Sequence, residues 1–110
     1  MGKHGLGEFE FIVLLAVLRL GPEAAHPIAN VEDIRAHSGR RGKRAAVYVT
    51  LQRLEQKGLV ASWLAKPDDA RGGKRRRFAR VLPAGRRAMR EARATLEGMW
   101  QGLDAALEAE

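Results

Sequence analysis

Apolar residues crowd together early in the chain and then thin into periodic stripes. Phe11, Leu14, Leu15 and Leu18, with Ile12 and Val17 interleaved, predict a helix over residues 7–20 with most of its circumference covered. Gly21-Pro22 ends it, since glycine accepts the left-handed cap and proline cannot continue the ladder. Its apolar run is eight residues long before Arg19, whereas a membrane-spanning helix needs about 20. Glu8 and Glu10 directly precede the run, where a secretory signal would carry a basic start. The segment therefore reads as a buried helix of a soluble protein.

The later stripes are narrower. Ile28, Val31 and Ile34 predict a short helix over residues 28–38, with Asn30 and Asp33 as a variant capping box and Gly39 as its stop. Val47, Leu51 and Leu54 fall on one face of a third helix over residues 43–57, and Arg44, Tyr48, Gln52 and Glu55 share an outward face. Residues 59–64 and 76–82 read as strands. Pro67, Asp68-Asp69 and Gly72-Gly73 between them are turn formers, so the pair makes a hairpin with a long basic tip. Pro83 opens a final helix. On it Met89, Ala92, Leu96, Met99, Leu103 and Ala106 recur as a heptad seam, broadened by Trp100 and Leu107. Such a seam folds back on the core or meets a second copy. The helix projects past everything else in the chain, which favours the second copy.

Composition narrows the function. The length of 110 residues suits one domain. The absence of cysteine removes disulfides, thiolate zinc sites and thiol nucleophiles, and fits a reducing compartment: the cytoplasm, with nucleoid association in a bacterium. The net charge of +7 suggests an anionic partner, nucleic acid or an acidic membrane surface. Its distribution says more. Residues 35–90 hold 17 basic and 3 acidic side chains, while the flanks, residues 1–34 and 91–110, are net acidic. A solvated surface mixes its signs, so the middle of the chain is where an anion should be held.

The predicted order is helix, helix, basic helix, strand, basic loop, strand, long helix. That is a mainly α fold with a small β-hairpin: a winged helix-turn-helix over residues 1–82 and a C-terminal dimerisation helix over residues 83–110, packed as one unit. A helix in the major groove reads base edges with its N-terminal residues. Lys43 and Arg44 stand at that end of helix three, with Tyr48, Thr50, Gln52 and Arg53 completing the recognition set. Arg71, Lys74, Arg75, Arg76 and Arg77 form a wing suited to an adjacent minor groove or its phosphates. Met89, Ala92, Leu96, Met99, Trp100, Leu103 and Leu107 are the expected dimer interface.

Enzymatic patterns are missing. His4, His26 and His37 lack ligand spacing, so no metal or other cofactor is expected. Ser38 and Ser62 have no base-plus-orienter pattern. Gly72-Gly73-Lys74 lacks a phosphate-loop context, and Asp68 and Asp69 lie in a turn.

Gly7-Glu-Phe-Glu-Phe-Ile-Val-Leu-Leu-Ala-Val-Leu-Arg-Leu-Gly21 resembles the first helix of PadR-family transcriptional regulators. Val47-Tyr-Val-Thr-Leu-Gln-Arg-Leu-Glu-Gln-Lys-Gly-Leu-Val60 resembles that family's recognition helix and the entry to its wing. Arg71-Gly-Gly-Lys-Arg75 with Phe78, then Leu82-Pro-Ala-Gly-Arg86, resembles the wing and the start of the last helix. The resemblance implies a homodimeric DNA-binding repressor, often relieved by a small aromatic ligand, in a short form with one C-terminal helix. Lys43, Arg44 and Ala45 stand where the family usually has Ser, Pro or Leu, and Gly, and Leu82 replaces a usual Thr. Two helices thus lose their hydroxyl caps. Cations at the positive end of a helix dipole cost from a few tenths to about 1 kcal/mol, which phosphates would offset.

Several residues carry two readings. Tyr48 contacts the DNA backbone or packs its ring on its own helix, and its polar neighbours favour the first. Trp100 stacks on an aromatic effector or fills the dimer interface, with structure favoured. The chain as a whole reads as a sequence-specific regulator of double-stranded DNA, with a palindromic operator expected. The alternative is a non-specific nucleic-acid-binding, architectural or protein-interaction module without ligand sensing. The few aromatic residues argue against a single-stranded RNA platform.

Overall fold

The hydrophobic stripes sort the chain into seven elements in the computed structural model, which describes residues 5–66 and 75–109. They are α1 (Glu8–Leu20), α2 (Pro27–Ser38), α3 (Arg44–Gln56), β1 (Val60–Leu64), β2 (Arg77–Val81), α4 (Pro83–Trp100) and α5 (Asp104–Glu108). Val13, Leu14 and Val17 of α1, Ile34 of α2, and Val47, Leu51 and Leu54 of α3 form one buried cluster, closed by Val60, Ala79 and Val81 of the hairpin. Each such side chain contributes about 1.5–3 kcal/mol on burial. β1 and β2 pair antiparallel with Val60 opposite Val81 and Trp63 opposite Phe78. The fold is a winged helix.

Backbone bonds seat the hairpin on the helices. The Leu59 N–H donates to the Leu54 carbonyl at 2.9 Å, and the Ala79 N–H donates to the Ala25 carbonyl at 3.0 Å. α4 starts directly against the chain entering β1. A Cβ at Gly85 would lie 2.3 Å from the Leu59 carbonyl oxygen, so this position needs glycine for close approach rather than for a turn.

Two ion pairs set the helices against one another. Arg19 of α1 meets Asp33 of α2 at 2.7 Å. Glu10, with its side chain only 8% exposed, accepts from Lys57 Nζ at 2.9 Å, and it also accepts the Gly7 N–H at 2.9 Å. Burial pushes the Glu10 carboxyl up, but the bonds from Lys57 and Gly7, with the charges of Lys57 and Arg53, outweigh it and hold the carboxyl below its ordinary value.

Several expectations are corrected. α2 starts at Pro27, which occupies the first turn where a missing N–H costs nothing, and His26 is its cap, with Nδ1 accepting the Ala29 N–H at 3.3 Å. Asn30, expected as the cap, is instead buried inside α2. α1 is covered over most of its circumference, as its pattern implies, with Leu15 and Leu18 left exposed. The missing hydroxyl caps are as the sequence implied: Lys43 and Leu82 cap α3 and α4 without a side-chain hydrogen bond.

The single long helix over residues 83–110 is also corrected. α4 ends at Trp100, and Gly102 takes φ +79° before α5 begins. A left-handed residue cannot continue the ladder. The seam is therefore continuous only through Ala92, Leu96 and Met99; Met89, expected in the dimer interface, is buried in the core instead, and Leu103 and Leu107 lie beyond the break. The second half of α4 still stands clear of the core, with Met99 71% exposed. The radius of gyration, 16.1 Å, exceeds the value of about 13 Å for a compact chain of this length.

Candidate nucleic-acid interface

Gly39, at φ +70°, turns the chain out of α2. The following segment carries Arg40, Arg41 and Lys43 into α3. Arg40 is engaged locally: it bonds Glu8 at 3.1 Å and lies over the Phe9 ring, 5.3 Å from its centroid. Arg41, Lys43 and Arg44 are exposed and form no ion pair among the described residues. The front end of α3 is thus a concentration of unneutralised positive charge, beside backbone N–H groups that no side chain caps.

α3 distributes the expected recognition residues around its circumference. Arg44 and Tyr48 face the hairpin. With His26, Pro27 and Ile28 of the α2 start, and with Leu64 and Arg75–Arg77, they line a cleft of about 620 Å³. Gln52 is exposed beside Tyr48 and borders a small cleft toward Ser62 and Arg77 of the hairpin. Arg53 lies on the opposite flank, close enough to Glu10 to help hold it ionised. Thr50 is the exception. It is 4% exposed, turned into the core beside Val47, Leu51 and Leu54, and it is withdrawn from the recognition set.

The hairpin is braced from three directions. Trp63 stacks on its cross-strand partner Phe78 with ring centroids 6.5 Å apart, and Phe78 meets the His26 ring edge-on at 5.5 Å. Arg77 donates to Ser62 Oγ at 3.0 Å, and Ser62 donates to Glu55 at 2.7 Å, fastening the strands to α3. Arg76 lies 2.8 Å from His26 Nε2, joining β2 to the α2 start.

Arg75 ties the two strands together next to their connection, with Nε donating to the Ala65 carbonyl at 2.7 Å. Arg76 and Arg77 are therefore half-buried braces that still line the cleft, while Arg75 is the exposed member of the three. Arg71 and Lys74 lie outside the described residues.

Sequence reasoning passed over His26, whose signal was its position just before Pro27, and the Glu55–Ser62–Arg77 relay, which joins residues far apart in sequence. Among the described residues no cluster of His, Asp and Glu has the makings of a metal site. Among the described residues no helix is long and apolar enough to cross a membrane.

This arrangement defines a winged-helix protein with a cationic helix front beside a braced hairpin. No protein-family model and no curated protein matches the sequence. Solved structures do. A PadR-family transcriptional regulator from Eggerthella lenta is 27% identical, with a TM-score of 0.72 over 93% of this chain and 83% of that one. A PadR-like transcriptional regulator from Bacillus cereus shares the fold at 15% identity and a TM-score of 0.71, over 93% of both chains. A putative transcriptional regulator from Thermoplasma acidophilum does so at 16% identity and 0.71, over 90% of this chain and 92% of that one. In fold the chain thus resembles a PadR-family and a PadR-like transcriptional regulator.

Proposed function

We propose that this chain is a homodimeric regulator of transcription, acting as a repressor, that binds double-stranded DNA at a palindromic operator. The observation that carries this reading is the front of α3: Lys43 and Arg44, exposed and without ion pairs among the described residues, at an uncapped helix end beside a braced hairpin. In this reading α3 enters the major groove, Arg44 and Tyr48 engage the backbone from the hairpin side, and Arg75 extends the contact along the neighbouring phosphates. The likeness to PadR-family regulators supports it.

The dimer supplies the second half-site. The exposed apolar stripe Leu96, Met99 and Trp100 on α4, with Leu15 and Leu18 on α1, is the surface that a second copy would cover. Trp100 fills that interface. An aromatic effector stacking on Trp100 is the finer reading, and fluorescence titration with phenols and aromatic acids tests it: quenching in the wild type that is lost in Trp100→Phe supports an effector site.

Fluorescence anisotropy on duplexes selected from genomic DNA tests the main reading. A dimer that neutralises about four to six phosphates loses affinity by roughly 10²–10³-fold between 50 and 200 mM salt. Arg44→Ala weakens binding and flattens that slope, while the protein melts as the wild type does. Affinity independent of salt, or selected sites without two-fold symmetry, counts against the proposal. A promoter-reporter assay separates repression from activation.

A further inference from the structure

The side chains best aimed at base edges are not the cations. Val47, Thr50, Leu51 and Leu54 form the buried face of α3. At about 100° per residue, the line directly opposite runs through Ala45, Val49, Gln52 and Gln56, all exposed. Arg44 and Arg53 fall on opposite flanks of that line. Val49 is 50% exposed, a β-branched apolar side chain at the centre of a solvent-facing helical surface. Branching at Cβ disfavours helix, and among the described residues Val49 belongs neither to the core cluster nor to the side chains packed against it.

Each residue type on this line has a definite counterpart in the major groove. Guanine N7 and O6 are both acceptors and call for Arg or Lys, which the line lacks. The apolar group on base-pair edges there is the thymine 5-methyl, which suits valine. A glutamine amide offers one donor and one acceptor, the complement of adenine N7 and N6. Val49 and Gln52 are separated by a rise of about 4.5 Å along the helix, against about 3.4 Å between stacked bases. The two therefore address neighbouring base pairs. Ala45, one turn earlier, is short enough to let the helix seat deeply.

We propose that α3 reads A·T base pairs at the centre of each half-site, Val49 packing on a thymine methyl and Gln52 bonding an adjacent adenine. Arg44 and Arg53 then neutralise phosphates on the two walls of the groove. This inference rests on the DNA-binding reading above and adds the base preference to it.

The test starts from duplexes selected out of a random library by the wild-type protein. Each thymine of the half-site is replaced in turn by deoxyuridine, which removes only the 5-methyl group. One position weakens wild-type binding by about three- to fivefold, the effect of uncovering one apolar carbon, and the same replacement is neutral in Val49→Ala. At a neighbouring position 7-deazaadenine weakens the wild type and leaves Gln52→Ala unaffected. Val49→Thr, which keeps the branched shape, retains part of the methyl preference.

The inference is overturned if every thymine replacement is neutral, if the penalty persists in Val49→Ala, or if the selected half-sites are G·C throughout. Failure to select any duplex overturns instead the DNA-binding reading beneath it.

Discussion

A methyl group added at Gly85 would lie 2.3 Å from the Leu59 carbonyl oxygen and 2.8 Å from Val81 Cγ1. An ordinary carbon–oxygen contact is about 3.3 Å or more, so Gly85→Ala must drive two backbone segments apart by about 1 Å. The same Leu59 oxygen accepts the Leu82 N–H at 2.9 Å, and displacing the start of α4 stretches that bond. Overpacking of this kind costs about 1–3 kcal/mol, and weakening the bond adds about 1 kcal/mol. Alanine returns about 1 kcal/mol of helix propensity. The net expectation is a loss of about 2 kcal/mol, lowering Tm by about 10 °C.

Gly98, in the same helix, provides the control. A Cβ there meets nothing within 4 Å, so Gly98→Ala keeps the propensity gain and raises Tm by about 5 °C. It also lies away from the Leu96, Met99 and Trp100 stripe, so dimerisation does not confound the comparison. Far-UV circular dichroism melts at one fixed protein concentration provide the readout. Shifts of the same sign in both variants would refute the claim that packing against Leu59 fixes the glycine.

Met99→Glu places a charge on the most exposed apolar position of α4, and light scattering should report monomers. Leu103→Glu, beyond the Gly102 break, should have the smaller effect, and a fully dimeric Met99→Glu would remove the α4 stripe from the interface. Glu10→Gln breaks the buried bond to Lys57 and should cost about 1–3 kcal/mol in urea unfolding at neutral pH. Because folding lowers the Glu10 pKa, its contribution is complete above the unfolded value, near 4.5, and is lost as pH falls through the folded one. The gap between wild type and variant should therefore narrow on acidification, and a gap that widened would contradict the assignment.

The helices and the hairpin were legible because their signals are local: Gly21, Gly39 and Gly58 punctuate the helices, and Val47, Leu51 and Leu54 bury as their spacing implies, although Ile28 of the α2 stripe stays exposed. Thr50 was misplaced because hydropathy marks it as polar, although its position beside Val47 and Leu54 turns it inward. The seam past Met99 was misread for a different reason. A heptad spacing counts residues and is blind to a backbone that reverses φ at Gly102. The bracing of Arg76 by His26, and of Arg77 by Ser62, was out of reach because each joins residues brought together only by the fold. Charge segregation pointed to the candidate interface, but packing decided which of the described arginines remain exposed there.

The two ends of α3 are held very differently. At the rear, Lys57 bonds Glu10 through its side chain, and the Leu59 N–H returns to the Leu54 carbonyl. At the front no side chain closes the first turn. Opening free energy should therefore rise along the helix, with amide hydrogen exchange fastest around Arg44 and slowest near Leu54. In the proposed reading the end offered to a duplex is the compliant one, anchored from behind like a key held by its bow. Phosphate oxygens would complete the first turn, so docking and the final ordering of the helix become a single event.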